Sequence, residues 1–475
     1  MDNATRTEPL STRHWLLLVS LFVLSLPAVT PRIYSSDEIQ YFAYLRSAAF
    51  DRDLSFENEY RYFYDRGVAR SDGFHETFLE RTTDTGRRIN FGTIGCALLC
   101  APFYAAGHVA AGITGAPQDG YSTPYIAAVA YGSAAYGFLA LVLAIKCAGR
   151  LGLNGFSGGL AVWLGTPLLF YMYVAPPFSH ACSAFTVALF TYVWLRVRDG
   201  WSSSGMAALG AAGALMAMTR EQDVFFIAGP AIDWLLTQGA ARDAGSGMRA
   251  AVASVLAAAV CFLVVYLPQL AAYKVINGHF GPHASVANKM KWYAPHALEV
   301  LFSPAHGYFV WTPLALLALA GLAMPSKALA LPPEGGSHAR DPVVSAFRRN
   351  RVPLLLVLTF LLQVYIGGSV ESWTVAGGFG QRRFVALTTV LVIGISALTA
   401  RPRFRKAWAA AIVLCAYWNI ALTAEFATGL MDRQKLEPAK NAYAAFVTLP
   451  RMAPALAYRY LFDRPSFYRA HSVSR

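Results

Sequence analysis

Apolar residues along this chain come in long runs that charge rarely interrupts, where a soluble helix would carry an apolar stripe only. A run of about 17 or more such residues is long enough to cross a hydrocarbon core of roughly 30 Å. The pattern predicts membrane-crossing helices at residues 15–31, 122–145, 157–175, 180–195, 204–219, 224–238, 250–273, 307–324, 352–370, 384–400 and 407–424. Between the first and second of these, residues 32–88 are dense in charge and aromatics, and no window there is apolar enough to span. That segment reads as a large loop on one face. The semi-apolar stretch 91–113, broken by Pro102, His108 and several glycines, is either another span or a helix lying in the interface.

Charge decides between those alternatives. With 91–113 in the interface, Lys146 and Arg150, Arg196 and Arg198, Arg242 and Arg249, the group Lys327, Arg340, Arg348, Arg349 and Arg351, and the group Arg401, Arg403, Arg405 and Lys406 all share the side of the N-terminus. Basic short loops mark the cytoplasmic side, so this arrangement satisfies the rule, whereas a spanning 91–113 puts every cluster outside. The expected fold is an all-α polytopic membrane protein of about 11 transmembrane helices. Its parts are a cytoplasmic N-terminus (1–14), a first helix (15–31), an extracytoplasmic loop (32–121) with the interfacial helix 91–113, a helix bundle (122–424) and an extracytoplasmic tail (425–475). Within the bundle, 274–306 is an outer loop and 325–351 an inner one. The first helix ends Leu26-Pro27-Ala28-Val29-Thr30-Pro31, without a small-x-small cleavage site, and is expected to stay attached.

Composition agrees. Of 475 residues 56% are hydrophobic and only 14% charged, against about 25% charged in soluble domains. The mean hydropathy is +0.40. The net charge of +13 is mainly an orientation signal, because the expected topology places 17 of the 40 basic but only 7 of the 27 acidic residues inside. No nucleic-acid partner follows from it. The six cysteines form no CxxC pair or disulfide framework, and Cys96 and Cys100, four apart in an apolar helix, read as packing residues.

The polar residues at outer helix ends come from distant parts of the chain and share one face. Asp37 and Glu38 follow the first helix; they read equally as a carboxylate base for a hydroxyl acceptor or as acids at a helix N-terminus. Asp51-Arg52-Asp53 has the form of a short metal or nucleotide-sugar motif, or of a solvated loop. Arg382 and Arg383 follow the glycine-rich Gly377-Gly378-Phe379-Gly380-Gln381; paired guanidinium hydrogen bonds suit a phosphate, as lipid snorkelling suits the same residues. Arg220, in Arg220-Glu221-Gln222-Asp223, is a second candidate, or half of a local ion pair. Arg87, Arg88, His180, Lys289, Lys291 and His306 complete the substrate-binding candidates.

These residues carry a family likeness. The segment 34–44 with its Asp37-Glu38 pair, the stretch 92–107 with Ala101-Pro102-Phe103-Tyr104, and Gly378-Phe379-Gly380-Gln381-Arg382-Arg383-Phe384 resemble the C-type (GT-C) membrane glycosyltransferases, including protein O-mannosyltransferases and the aminoarabinose transferases of lipid A. The resemblance implies a polyprenyl-phosphate-linked sugar as donor, Asp37 as catalytic carboxylate with Glu38 beside it, inversion at the anomeric carbon, and an active site outside the inner membrane. Many relatives carry Lys-Pro-Pro-Leu before the juxtamembrane helix; here Arg87-Arg88-Ile89-Asn90 stands in its place. The acceptor (lipid, glycan or protein) and a divalent metal stay open, and the alternative function is a transporter or lipid flippase.

Overall fold

The computed structural model describes residues 10–242, 248–324, 351–375, 377–464 and 466–469. Most of the expected inner loop, with Lys327, Arg340, Arg348 and Arg349, lies outside the described residues. The described chain is helical and contains no β-strand. Among the described residues, seven helices are long and apolar enough to cross a membrane: Gly95–Thr114, Thr123–Arg150, His180–Val197, Met248–Asn277, Arg351–Ser369, Arg382–Thr399 and Pro402–Thr428. The helix Met248–Asn277 makes the membrane requirement plain. Val252, Leu256, Val260, Leu263, Val264 and Leu267 along it are all exposed, an apolar surface that is stable only against lipid.

Several expected spans form as shorter pieces, for a common reason. The segment 157–175 is split into Phe156–Gly165 and Leu168–Tyr173 around Thr166-Pro167, and 307–324 into Tyr308–Trp311 and Leu314–Ala323 around Thr312-Pro313. Proline lacks the N–H that continues a helix and disfavours the helical conformation in the residue before it. Thr166 accordingly leaves the helix with φ −136° and ψ 163°. Asn419, wholly buried, donates to the carbonyls of Leu164 and Thr166 that the break releases, at 2.9 Å each. The segment 384–400 opens as the 3-10 turn Arg382–Leu387 before Thr388–Thr399, and 224–238 as Glu221–Ile227 before Ala228–Arg242.

Thr388–Thr399 is the central helix, buried from Thr388 to Leu398. Glycines let neighbours approach it closely. A Cβ on Gly394 would meet the carbonyl of Ala318, one on Gly321 the carbonyl of Gly394, and one on Gly158 the carbonyl of Val392. Such small-residue contacts hold membrane helices together where lipid removes the hydrophobic drive.

Charged residues gather at the two ends of the bundle. At one end Arg150 reaches Leu195 and Asp199, Arg401 donates to Met324, and the buried Asp233 accepts from Trp194, Arg198 and Arg351. Asp37, Arg220, Arg382 and Arg383 lie at the other end, beside the start of His180–Val197. Of the basic residues that the sequence assigned to one side, Arg150, Arg198 and Arg351 gather around Leu195, Asp199 and Asp233.

The loop 32–88 folds into Ser36–Arg46, Glu57–Asp65 and shorter turns around a core of its own, which includes Phe42, Tyr60, Phe63 and Phe78. This core is continuous with one face of Gly95–Thr114, through Cys100, Tyr104 and Ala111. The same helix runs antiparallel to the first half of Thr123–Arg150: Tyr136 donates to the Leu99 carbonyl at 2.8 Å, Gly107 abuts Pro124 and Tyr125, and the rings of Tyr104 and Tyr125 lie 4.9 Å apart. Length and composition admit this helix as a span; its partners are the loop, the first half of Thr123–Arg150 and, at its own start, the end of Ser203–Thr219 and Cys182 of His180–Val197. The tail folds back over the same end, where Arg464 donates to the carbonyls of Pro27, Ala28 and Val29 and ties the last helices to the first.

Replacing Gly321 by Val inserts a branched side chain into the contact with the central helix. Overpacking of this kind costs about 1–3 kcal/mol, so the variant should unfold at a clearly lower temperature in detergent, while Gly149→Val, with open space around its Cβ position, should match the parent.

Candidate functional site

The site begins with a capping box. Ser35 stands before the helix Ser36–Arg46 and accepts from the Glu38 N–H, while the Glu38 carboxylate accepts from the N–H of Ser35 at 3.0 Å and of Tyr34 at 2.7 Å. This reciprocal arrangement satisfies donors that a helix N-terminus leaves open. Glu38 is turned inward, fully buried, with a local structural task. Burial pushes its carboxyl up to about 8, against the lowering effect of the bonds from Tyr34 and Ser35. Asp37 is partly exposed at the same first turn and points to the bundle.

Its partner is Arg382, whose Nη1 lies 2.8 Å from Asp37 Oδ2. The arginine is delivered by the glycine-rich turn. Gly377 and Gly380 take positive φ of 80° and 59°, which a side chain would resist. Phe379 between them is buried against Phe170, ring centroids 4.4 Å apart, and its N–H and carbonyl both bond the Tyr171 hydroxyl. Gln381, also buried, donates to Trp373. The turn is thus anchored on both sides of Gly380, and Arg382 emerges with its guanidinium over the Phe178 ring at 5.4 Å. Arg383, next in line, donates to the carbonyl and hydroxyl of Ser372, and its own carbonyl accepts from Gln222 and Gln363.

Arg220 arrives from the end of Ser203–Thr219 and joins the group through Gln222, which accepts from it at 3.2 Å. It also donates to His180 Nδ1 at 2.6 Å. An arginine only donates, so Nδ1 accepts and the imidazole proton sits on Nε2. Ser179 bridges onward, donating to the Tyr41 hydroxyl at 2.9 Å, and Tyr41 lies one helical turn after Asp37. The local ion pair that the sequence left open for Arg220 does not form among the described residues. Glu221 accepts from the Tyr273 hydroxyl and Asp223 from Ser183, so both acids turn away.

Asp37, His180, Arg220, Arg382 and Arg383 therefore converge, with three guanidinium groups against one exposed carboxylate. The remaining candidates stand elsewhere. Arg88 is paired with Glu57 and donates to Glu80 within the loop; Arg87 reaches the carbonyl of Val275. Lys289 lies over the Phe91 ring at 4.9 Å, and the backbone of Lys291 bonds Ser369. His306 is buried against Trp311 and bonds the carbonyl of Gln434, which docks the tail. The Asp51-Arg52-Asp53 carboxylates serve the loop: Asp51 pairs with Arg46 and accepts from Asn58, and Asp53 accepts from Ser47 and Ser55. Reading the sequence assigned no role to Tyr41 or Gln363 and none of its own to Gln222: Tyr41 meets Ser179 138 residues away, Gln222 meets Arg383 161 residues away, and Gln363 meets Arg383 20 residues away around a helix break. Only Tyr41, four residues after Asp37, carried a local signal.

A cavity of about 1820 Å³ is lined by Tyr34 and Ser36, close to Asp37 in the chain, though not by Asp37, His180, Arg220, Arg382 or Arg383 themselves. Its lining combines apolar residues, among them Leu169, Val174, Ile420 and Ala424, with Arg32, Arg66, Arg70 and Arg433 and several tyrosines. Such a lining fits an amphiphile with a polar or anionic head.

No protein-family model matches the chain, and no curated protein matches it.

Because the buried Glu38 carboxyl holds its proton well above the ordinary carboxylate range, the folded state binds more protons than the unfolded one between roughly pH 4.5 and 8. Its contribution to stability is present below that window and lost as pH rises through it. Glu38→Gln should flatten this part of the pH profile of the unfolding temperature and gain relative to the parent toward pH 8.

Proposed function

We propose that this membrane protein is a glycosyltransferase that moves a sugar from a polyprenyl-phosphate donor to an acceptor at the extracytoplasmic face of the inner membrane. The observation that carries the reading is the contact between Asp37 and Arg382, with Arg220 and Arg383 in the same group. A carboxylate facing three arginines at the end of a membrane bundle is the charge pattern that a phosphate leaving group and a hydroxyl nucleophile call for. The likeness of the Asp37-Glu38 segment to C-type glycosyltransferases points the same way.

In the resting arrangement Arg382 holds the Asp37 carboxylate. A donor phosphate competes for that guanidinium through charge-assisted hydrogen bonds, and Arg220 and Arg383 add positive charge on the same side. Its arrival frees Asp37 to accept a proton. The acceptor oxygen then attacks the anomeric carbon as the bond from that carbon to the phosphate oxygen breaks; the acceptor proton passes to Asp37, and polyprenyl phosphate leaves with the electron pair. Attack opposite the leaving group inverts the anomeric centre. The cavity beside Tyr34 and Ser36 offers room for the acceptor or for the donor's chain. Glu38 supports this chemistry indirectly, by holding the first helical turn.

A transporter or flippase would place its ionisable groups along a path near the bilayer midplane. Here they concentrate at the bundle ends, and the central helix Thr388–Thr399 is buried along almost its whole length.

Purified protein in lipid nanodiscs, given a polyprenyl-phosphate sugar and an envelope extract as acceptor, should release polyprenyl phosphate. Asp37→Asn should slow turnover by about 10²–10⁴-fold, the range for losing a general base. Arg382→Ala should chiefly weaken donor binding, by about tenfold to a hundredfold, as expected for lost hydrogen bonds to a charged group. Full transfer by Asp37→Asn, or vesicle uptake without release of polyprenyl phosphate, would overturn the reading.

A further inference from the structure

Three cysteines that are unremarkable in sequence meet in space. Cys96 and Cys100 lie one turn apart on Gly95–Thr114, and Cys182 is the third residue of His180–Val197. All three are buried, and their sulfur atoms lie within 4.8 Å of one another. Three sulfurs set about 2.3 Å from a central ion, in a plane around it, stand about 4 Å apart. The side chains are therefore within a small adjustment of a three-coordinate thiolate set.

The surroundings hold the cluster in place. A Cβ on Gly95 would run into the backbone of Met218 and Thr219, so that helix start is seated directly on the end of Ser203–Thr219. Thr93 donates to the Thr219 carbonyl at 2.8 Å, and the Ile94 N–H donates to the buried Gln269 at 2.9 Å. Electrostatics favour a negative group here as well. Cys96 and Cys182 both sit in the first turn of a helix, where the macrodipole presents positive charge, and Arg220 lies within electrostatic range of Cys96. These offset part of the charge that thiolates bring into an apolar site.

We propose that Cys96, Cys100 and Cys182 bind a soft monovalent cation, with Cu(I) the match. Thiolate sulfur selects soft ions. Structural zinc is almost always four-coordinate, and no histidine, aspartate, glutamate or further cysteine joins this group among the described residues. Binding exchanges the thiol protons for the metal and involves no change of oxidation state. The ion would pin the start of Gly95–Thr114 to the start of His180–Val197, below the Ser179–Arg220 contact, without touching a substrate.

Reduced, purified full-length protein titrated anaerobically with Cu(I) against a chromophoric chelator should take up one copper per chain. X-ray absorption should find a shell of three sulfurs only. Cys182→Ser and Cys96→Ser should lose that uptake, and Cys415→Ser, on a different helix, should keep it. Should the cluster variants fail to fold, the parent still decides: bound Cu(I) should protect these three cysteines, and not Cys261 or Cys415, from alkylation on denaturation. Uptake that survives in folded cluster variants, a shell of nitrogen or oxygen, tighter binding of Zn(II) than of Cu(I), no selective protection, or a disulfide between two of the three in the isolated protein would each overturn the proposal.

Discussion

An ion at the rim of a membrane bundle needs either water or a partner of opposite charge, and the arrangement of one end of this protein follows from how Asp37 and Arg382 meet that need. Their contact at 2.8 Å joins the large first loop to the turn before the central helix, across nearly 350 residues. It is only partly shielded from solvent, so it can be exchanged, where a deeply buried pair would be locked by the cost of separating its charges. Arg220 and Arg383 then leave the group with an excess of positive charge. Under the proposed function, that excess draws the donor phosphate.

Holding one carboxylate in place requires several devices that do no chemistry. The box between Ser35 and Glu38 sets the first helical turn, so that Asp37 is presented from a rigid element. On the other side, Phe379 wedged against Phe170 and Tyr171 fixes the glycine turn that carries Arg382. Behind it, Gly394 and Gly321 let Thr388–Thr399 sink into the bundle. A second charged group around Asp233 closes the opposite end by tying Trp194, Arg198 and Arg351 together. The bundle thus carries a structural charge cluster around the fully buried Asp233 at one end and a partly exposed ion pair at the other.

The boundaries of the helices were largely legible because lipid imposes a simple rule: a long run free of charge must be helical if it crosses. The runs at 122–145, 180–195, 204–219, 250–273, 352–370 and 407–424 each correspond to one continuous helix. Where the reading was too coarse, proline was responsible, at Pro167 and Pro313. Both breaks meet tertiary partners: Asn419 serves one, and the Trp418 indole, donating to the Val310 carbonyl at 3.1 Å, serves the other. The candidate site divided on the same principle. Asp37, Arg220, Arg382 and Arg383 stood out as charges next to apolar runs, but so did Arg88 and Lys289, and nothing local separates an arginine that meets Glu57 from one that meets Asp37.

What the sequence determined by itself was the all-helical membrane character and the position of most helices, because hydropathy is a local sum over neighbouring residues. Which charges converge was decided only by the tertiary structure, since Asp37 with Arg382, His180 with Arg220, and the sulfurs of Cys96, Cys100 and Cys182 are brought together by helix packing and by two anchored turns. Partner choice among like charges depends on distances across the fold, which no window along the chain contains.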